Sequence, residues 1–152
     1  MARGIVSVLL VFLVWSGLDF ILHEFVLKSA YESSSTLWLL AGQKKTGVMH
    51  LNVLVSSIVF VSLYAGYARD KSVGTGLKFG FLIGVCLGVG NAYGTYSLMP
   101  IPHSITFCWF LARVVEMTAG GIVVGLIMSR RSVPATEWSY YEENQTANSP
   151  SS

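Results

Sequence analysis

Seven polar side chains of this chain interrupt stretches that are otherwise apolar. Asp19, His23 and Glu24 fall in the first stretch, Asn52 in the second, Asn91 in the third, and Arg113 and Glu116 in the fourth. An ionisable group in hydrocarbon is costly unless it is paired, so such residues mark either a site or a structural pair. Asp19 and His23 are four residues apart and share a helix face bordered by Trp15 and Ser16, while Glu24 points elsewhere, toward an interface. Arg113 and Glu116, three apart, are also neighbours on one helix. Arg113 is expected to be neutralised by Asp19 and Glu116 together, which sets one cation against two carboxyl groups. The surplus negative charge then needs a proton on a carboxyl group, a proton on His23, or a bound cation. A plainer reading stands beside this one: a buried ion pair with amide neighbours can fix helix register and bind nothing.

The elements that carry these residues are legible from composition and length. Of 152 residues, 53% are hydrophobic and 12% charged, against about 25% charged in soluble domains. Four windows, 4–27, 47–68, 79–99 and 105–128, reach the roughly 20 residues needed to cross about 30 Å of hydrocarbon as helix. They lack period-two alternation, and only a helix satisfies its backbone within one segment. The expected fold is all-α: an antiparallel bundle of four transmembrane helices over residues 1–131, followed by a flexible polar tail over 132–152. The first window stays apolar through Phe25, beyond the core of a cleaved signal peptide. Short links predict that consecutive helices are antiparallel neighbours. The patch Leu37-Trp38-Leu39-Leu40 predicts a short interfacial helix, and Pro100-Ile101-Pro102-His103 a tight turn.

Basic residues set the orientation. Arg3, Arg69, Lys71, Lys78, Arg130 and Arg131 collect on the side of the termini, against Lys28, Lys44 and Lys45 on the other. Both termini are therefore expected in the cytoplasm, where the sequon Asn144-Gln145-Thr146 would escape glycosylation. Tyr64 and Tyr67 at one end, with Tyr31, Trp38 and Tyr96 at the other, suit interfacial belts. At about 1.5 Å per residue, Asp19, Asn91 and Arg113 each lie about 12 Å inside the outer end of their helix, Asn52 about 8 Å, and Glu116 deeper. Asp19, His23, Asn52, Asn91, Arg113 and Glu116 are thus expected to form one polar layer in the outer half, structural or ligand-binding.

Gly76, Gly80, Gly84 and Gly88 recur every fourth residue, and Gly121 and Gly125 repeat the spacing. Such a groove admits a second backbone, either a neighbouring helix of the same chain or a second copy in a homo-oligomer. His23, His50 and His103, with Glu24 nearby, are weak candidates for metal or haem ligation, since no HExxH, CxxC or CxxCH pattern supports them. Cys86 and Cys108 read as small core hydrophobes. No nucleophile elbow, phosphate-binding loop or dinucleotide fingerprint occurs, so neither an enzyme nor a cofactor is expected. A net charge of +2 without a basic run gives no sign of nucleic-acid binding. The partners expected are the bilayer and an unidentified small ligand or ion.

Three features carry a resemblance: Trp15-x-x-x-Asp19-x-x-x-His23, Met99-Pro100-Ile101-Pro102, and the run from Trp109 to Glu116. With them the chain, over residues 4–128, resembles a group of small bacterial four-helix membrane proteins of unknown function. The resemblance implies a multi-pass protein of the bacterial inner membrane and lends no reaction. A non-enzymatic binding, scaffold or assembly protein is the leading expectation. A small oligomeric transporter or proton/cation pathway is the alternative, motivated by the surplus carboxyl group and the glycine groove.

Overall fold

The structure is a computed structural model that describes residues 2–34, 37 and 45–129. The tail with its sequon, Lys44, Arg130, Arg131, and the apolar patch apart from Leu37 lie outside the described residues.

Helix α1 (Ala2–Ile21) runs into a π-helical turn (Leu22–Val26), and a short α2 (Lys28–Ser33) follows. Helix α3 covers Thr46–Tyr67. Helix α4 (Val73–Gly88), a second π-helical turn (Val89–Tyr93) and α5 (Gly94–Leu98) follow one another directly, and α6 spans His103–Met128. No strand occurs among the described residues. Four units, Ala2–Val26, Thr46–Tyr67, Val73–Leu98 and His103–Met128, are long and apolar enough to cross a membrane. The third begins at Val73 rather than at 79, because Ser72 caps it: the Ser72 hydroxyl accepts the Thr75 N–H at 3.2 Å. Lys78 is exposed within that helix, where its stem can run along apolar surface toward water.

The helices alternate in direction, which defines two ends. The terminal end carries Ala2, the 68–72 link and Met128; the loop end carries Leu27, Lys45 and Pro100–Pro102. Helix α6 is the central member, with α4 along one side and α1 along the other, while α3 docks on α1. The expectation that consecutive helices are neighbours therefore holds for α1 with α3 and for α4 with α6. Helices α3 and α4 meet through Phe79, whose ring centroid lies 5.0 Å from that of Phe60 and 5.6 Å from that of Tyr64. Tyr64 also donates its hydroxyl to the Ser72 carbonyl at 3.0 Å, clasping the short link.

The apolar core occupies the terminal half and the middle: Val11 and Trp15 from α1, Phe60, Val61 and Tyr64 from α3, and Met117 and Val124 from α6. The α4–α6 seam is built from the glycines. A Cβ added to Gly76 would collide with the Gly121 carbonyl, and one on Gly80 with that of Met117. At Gly84 it would lie 2.8 Å from the Val114 Cα, at Gly88 3.0 Å from the Phe110 ring, and at Gly125 2.8 Å from the Ser72 carbonyl oxygen. Of the two uses open to this groove, the chain itself fills it. A second copy would have to use another face.

Candidate functional site: a polar cleft at the loop end

The site is built outward from one indole. Trp15, 2% exposed, donates its Nε1–H to the main-chain carbonyl of Glu116 at 2.6 Å. Gly120 makes room: a Cβ there would stand 2.8 Å from that nitrogen. This contact fixes the register of α1 against α6. One turn further along α1, Asp19 then comes beside the Glu116 side chain, and both line one cleft. Two carboxylate anions have no donor to share, so a hydrogen bond between these groups would need one proton between them. Arg113 completes the set, with Nη1 2.8 Å from Glu116 Oε2.

The expected charge cluster is therefore present, with one change of wiring. Among the described residues the ion pair is Arg113–Glu116, within α6, and Asp19 joins it carboxyl to carboxyl. With one shared proton, two carboxyl groups carry a single negative charge, which Arg113 balances. Glu116 is the most enclosed member at 2% exposure, while the Arg113 side chain is 32% exposed. Oε2 of Glu116 is buried, and the nearby guanidinium does not offer it an aligned hydrogen bond. A buried acceptor without a directed donor is expensive to keep, and here its side chain lines an opening.

That opening is a cleft of about 230 Å³ walled by α1 and its π-helical turn, the second π-helical turn, α5 and α6. Asp19, His23, Asn91, Arg113 and Glu116 all line it, together with Thr95. Five of the six residues expected in one layer thus meet. The sixth, Asn52, does not. Helix α3 docks on α1 with Phe60 against Trp15 and buries Ser57, Phe60 and Tyr64 in the bundle, which leaves residue 52 exposed. Equal depth in a bundle does not imply equal facing.

The mouth of the cleft holds a relay that spacing alone did not reveal. Trp109 donates its indole N–H to the Tyr31 oxygen at 2.8 Å, and the Tyr31 hydroxyl lies 2.8 Å from His23 Nδ1. An indole can only donate, so the tyrosine oxygen accepts from Trp109, while the tautomer of His23 sets the direction of its bond with Tyr31. Burial pushes the Tyr31 hydroxyl up to about 12, so the relay keeps its proton through the physiological range. The π-helical turn aids this approach. Its i→i+5 bond, Leu27 N–H to Leu22 carbonyl at 2.8 Å, ends α1 and directs the chain into α2. Tyr31 is legible in the sequence as an interfacial residue and Trp109 only as part of the resemblance; their convergence on His23 is not legible there.

The histidines have separate surroundings. The His50 ring bonds the Thr46 carbonyl of its own helix through Nδ1 at 2.9 Å. His103 packs among Tyr93, Tyr96 and Phe107, and Glu24 is exposed. Among the described residues no group of three His, Cys, Asp or Glu is placed to hold a metal. Cys86 is exposed and Cys108 half-buried, both as free thiols.

No protein-family model matches the chain, and no match to it appears among curated proteins or solved structures.

Proposed function

We propose that the chain is a non-enzymatic binding protein of a bacterial inner membrane, with both termini cytoplasmic, whose cleft takes a small cation, inorganic or amine, from the outer side. The observation that carries this reading is the buried Glu116 Oε2, which lacks an aligned donor on a side chain that lines the cleft beside Asp19; in this reading the two carboxyl groups share one proton. A cation can take the place of that proton with no change in net charge, and Asn91 and Thr95 supply further oxygens on the wall. The basic residues on the terminal side support the orientation, and the resemblance to small four-helix bacterial proteins agrees with the compartment.

A scaffold or assembly role is compatible with the same binding site. The alternative of a proton or cation pathway draws on the exchangeable proton. Against an open pore stands the packing beneath the cleft, where Trp15, Met117 and Val124 fill the bundle toward the terminal end. Binding is therefore the reading preferred.

The test uses the protein in lipid nanodiscs at fixed ionic strength, with sodium, ammonium or choline chloride replacing N-methylglucamine chloride. At least one probe should raise the unfolding midpoint and release up to one proton per chain to a pH indicator. Asp19→Asn and Glu116→Gln should abolish both responses. If none of the three cations moves the midpoint or the proton signal, the proposal is wrong.

A further inference from the structure

Helix α3 has one face packed in the bundle and one face left open. Val53, Ser57, Phe60 and Tyr64, spaced four, three and four, face the bundle; the last three are buried. Val48, Asn52, Val55, Val59, Ser62 and Gly66 repeat the four–three spacing along the whole helix, and all six are exposed. At 3.6 residues per turn the second stripe lies about 150° round the helix from the first. Its valines are open, at 62%, 50% and 51% exposure for Val48, Val55 and Val59. A side chain at Gly66 would meet nothing within 4 Å, so its smallness serves no packing inside the chain. Ser62 satisfies its own hydroxyl on the Ile58 carbonyl at 2.7 Å and presents only a small surface.

We infer that this stripe is the contact of a parallel two-fold homodimer, in which α3 packs against α3 of a second copy and Asn52 bonds Asn52. Three observations favour a second copy over any other occupant. Alternate four–three spacing over six positions is the pattern of a two-helix seam, with β-branched residues as its knobs. Two copies in one membrane share an orientation, so their α3 helices run parallel and a two-fold axis sets residue 52 opposite itself at equal depth. A carboxamide is both donor and acceptor, hence self-complementary across that axis, and a lone one facing acyl chains is costly. The face is distinct from the glycine groove, which α6 fills, and from the cleft on the other side of α1.

Single cysteines at Val55, Val59, Ser62, Leu54 and Leu63, in a chain with Cys86 and Cys108 changed to Ala, can be oxidised in native membranes with copper phenanthroline. Disulfide-linked dimers should peak at 55, 59 and 62 and be weakest at 54. Asn52→Leu should weaken dimerisation by about 3- to 30-fold in single-molecule photobleaching after dilution into excess lipid, the range expected for interhelical hydrogen bonds. The same variant should leave the cation response of the cleft intact, which separates this proposal from the previous one. Crosslinking that is uniform around the helix, as lipid or an unrelated partner on this face would give, or an Asn52→Leu chain that dimerises as before, overturns the inference.

Discussion

Arg113→Met is the sharpest probe of the cleft, because the three charged groups respond unequally to substitution. With one shared proton the set Asp19, Glu116 and Arg113 is neutral. Asp19→Asn leaves Glu116 against Arg113, and Glu116→Gln leaves Asp19 against Arg113. In either case the new amide N–H can donate where the shared proton did, so each should cost about 0–1 kcal/mol. Arg113→Met keeps the apolar stem but leaves one uncompensated negative charge beside a carboxyl group that is 2% exposed. Breaking a buried pair from one side costs about 3–5 kcal/mol, and the partial exposure of the guanidinium moves the expectation to about 2–3 kcal/mol. The triple variant, Arg113→Met with Asp19→Asn and Glu116→Gln, is neutral again and should regain most of that loss.

Unfolding by sodium dodecyl sulfate in mixed micelles, followed by tryptophan fluorescence, gives the five free energies on one scale. The expected order is wild type, then the two amide variants, then the triple variant, with Arg113→Met last. An Arg113→Met chain as stable as either amide variant would refute the charge argument. So would a triple variant no better than Arg113→Met alone, since that outcome would assign the loss to packing of the arginine stem.

Three further outcomes are expected. Tyr31 should be a late-ionising tyrosine: its hydroxyl is raised from 10.0 to about 12 by burial, and Tyr31→Phe should remove that step from the ultraviolet titration. The raised value means that its contribution to stability is complete below pH 10 and lost as the pH rises through 12. Gly76→Ala should destabilise by about 1–3 kcal/mol through overpacking against Gly121, whereas Gly74→Ala, with open space around it, should be neutral or slightly stabilising; thermal unfolding in detergent separates the two. Trp15→Phe should cost about 0.5–1.5 kcal/mol for the lost bond to the Glu116 carbonyl, and a shift in the fluorescence maximum on making the variant would show the buried indole directly.

Much of this molecule was legible in its sequence, for reasons particular residues make plain. Hydropathy found all four long helices, since nothing but helix satisfies twenty apolar residues in a row. The four-residue ladders Trp15–Asp19–His23 and Gly76–Gly88 gave the right faces, because equal spacing on a helix is geometry and needs no partner. Partners were harder. Asn52 was grouped by depth with residues it never approaches, because depth along an axis says nothing about rotation around it. The Trp15 bond to a main-chain carbonyl leaves no mark in side-chain chemistry, although Gly120 marks the space it needs. Tyr31 looked like an interfacial belt residue, and only the fold of the chain after Leu27 brings it back onto His23.

The two π-helical turns connect these successes and failures. Both stand in the loop half, one at Leu22–Val26 and the other at Val89–Tyr93, and both wall the same cleft. A π-helical turn widens the helix by one residue and sets aside the regular i→i+4 bonds locally, which a bundle selected only for packing has no reason to retain. Below that level α1 and α4 are regular, and their small or flat residues, Gly76 to Gly88 and Trp15, let α6 approach closely. Above it the widened turns turn side chains aside from ideal register and leave about 230 Å³ unfilled beside a buried carboxyl group. Close packing and an open polar cleft are thus separated along the same helices. The packed half holds Glu116 in place and the irregular half leaves a cleft beside it, as the cation binding proposed above would require.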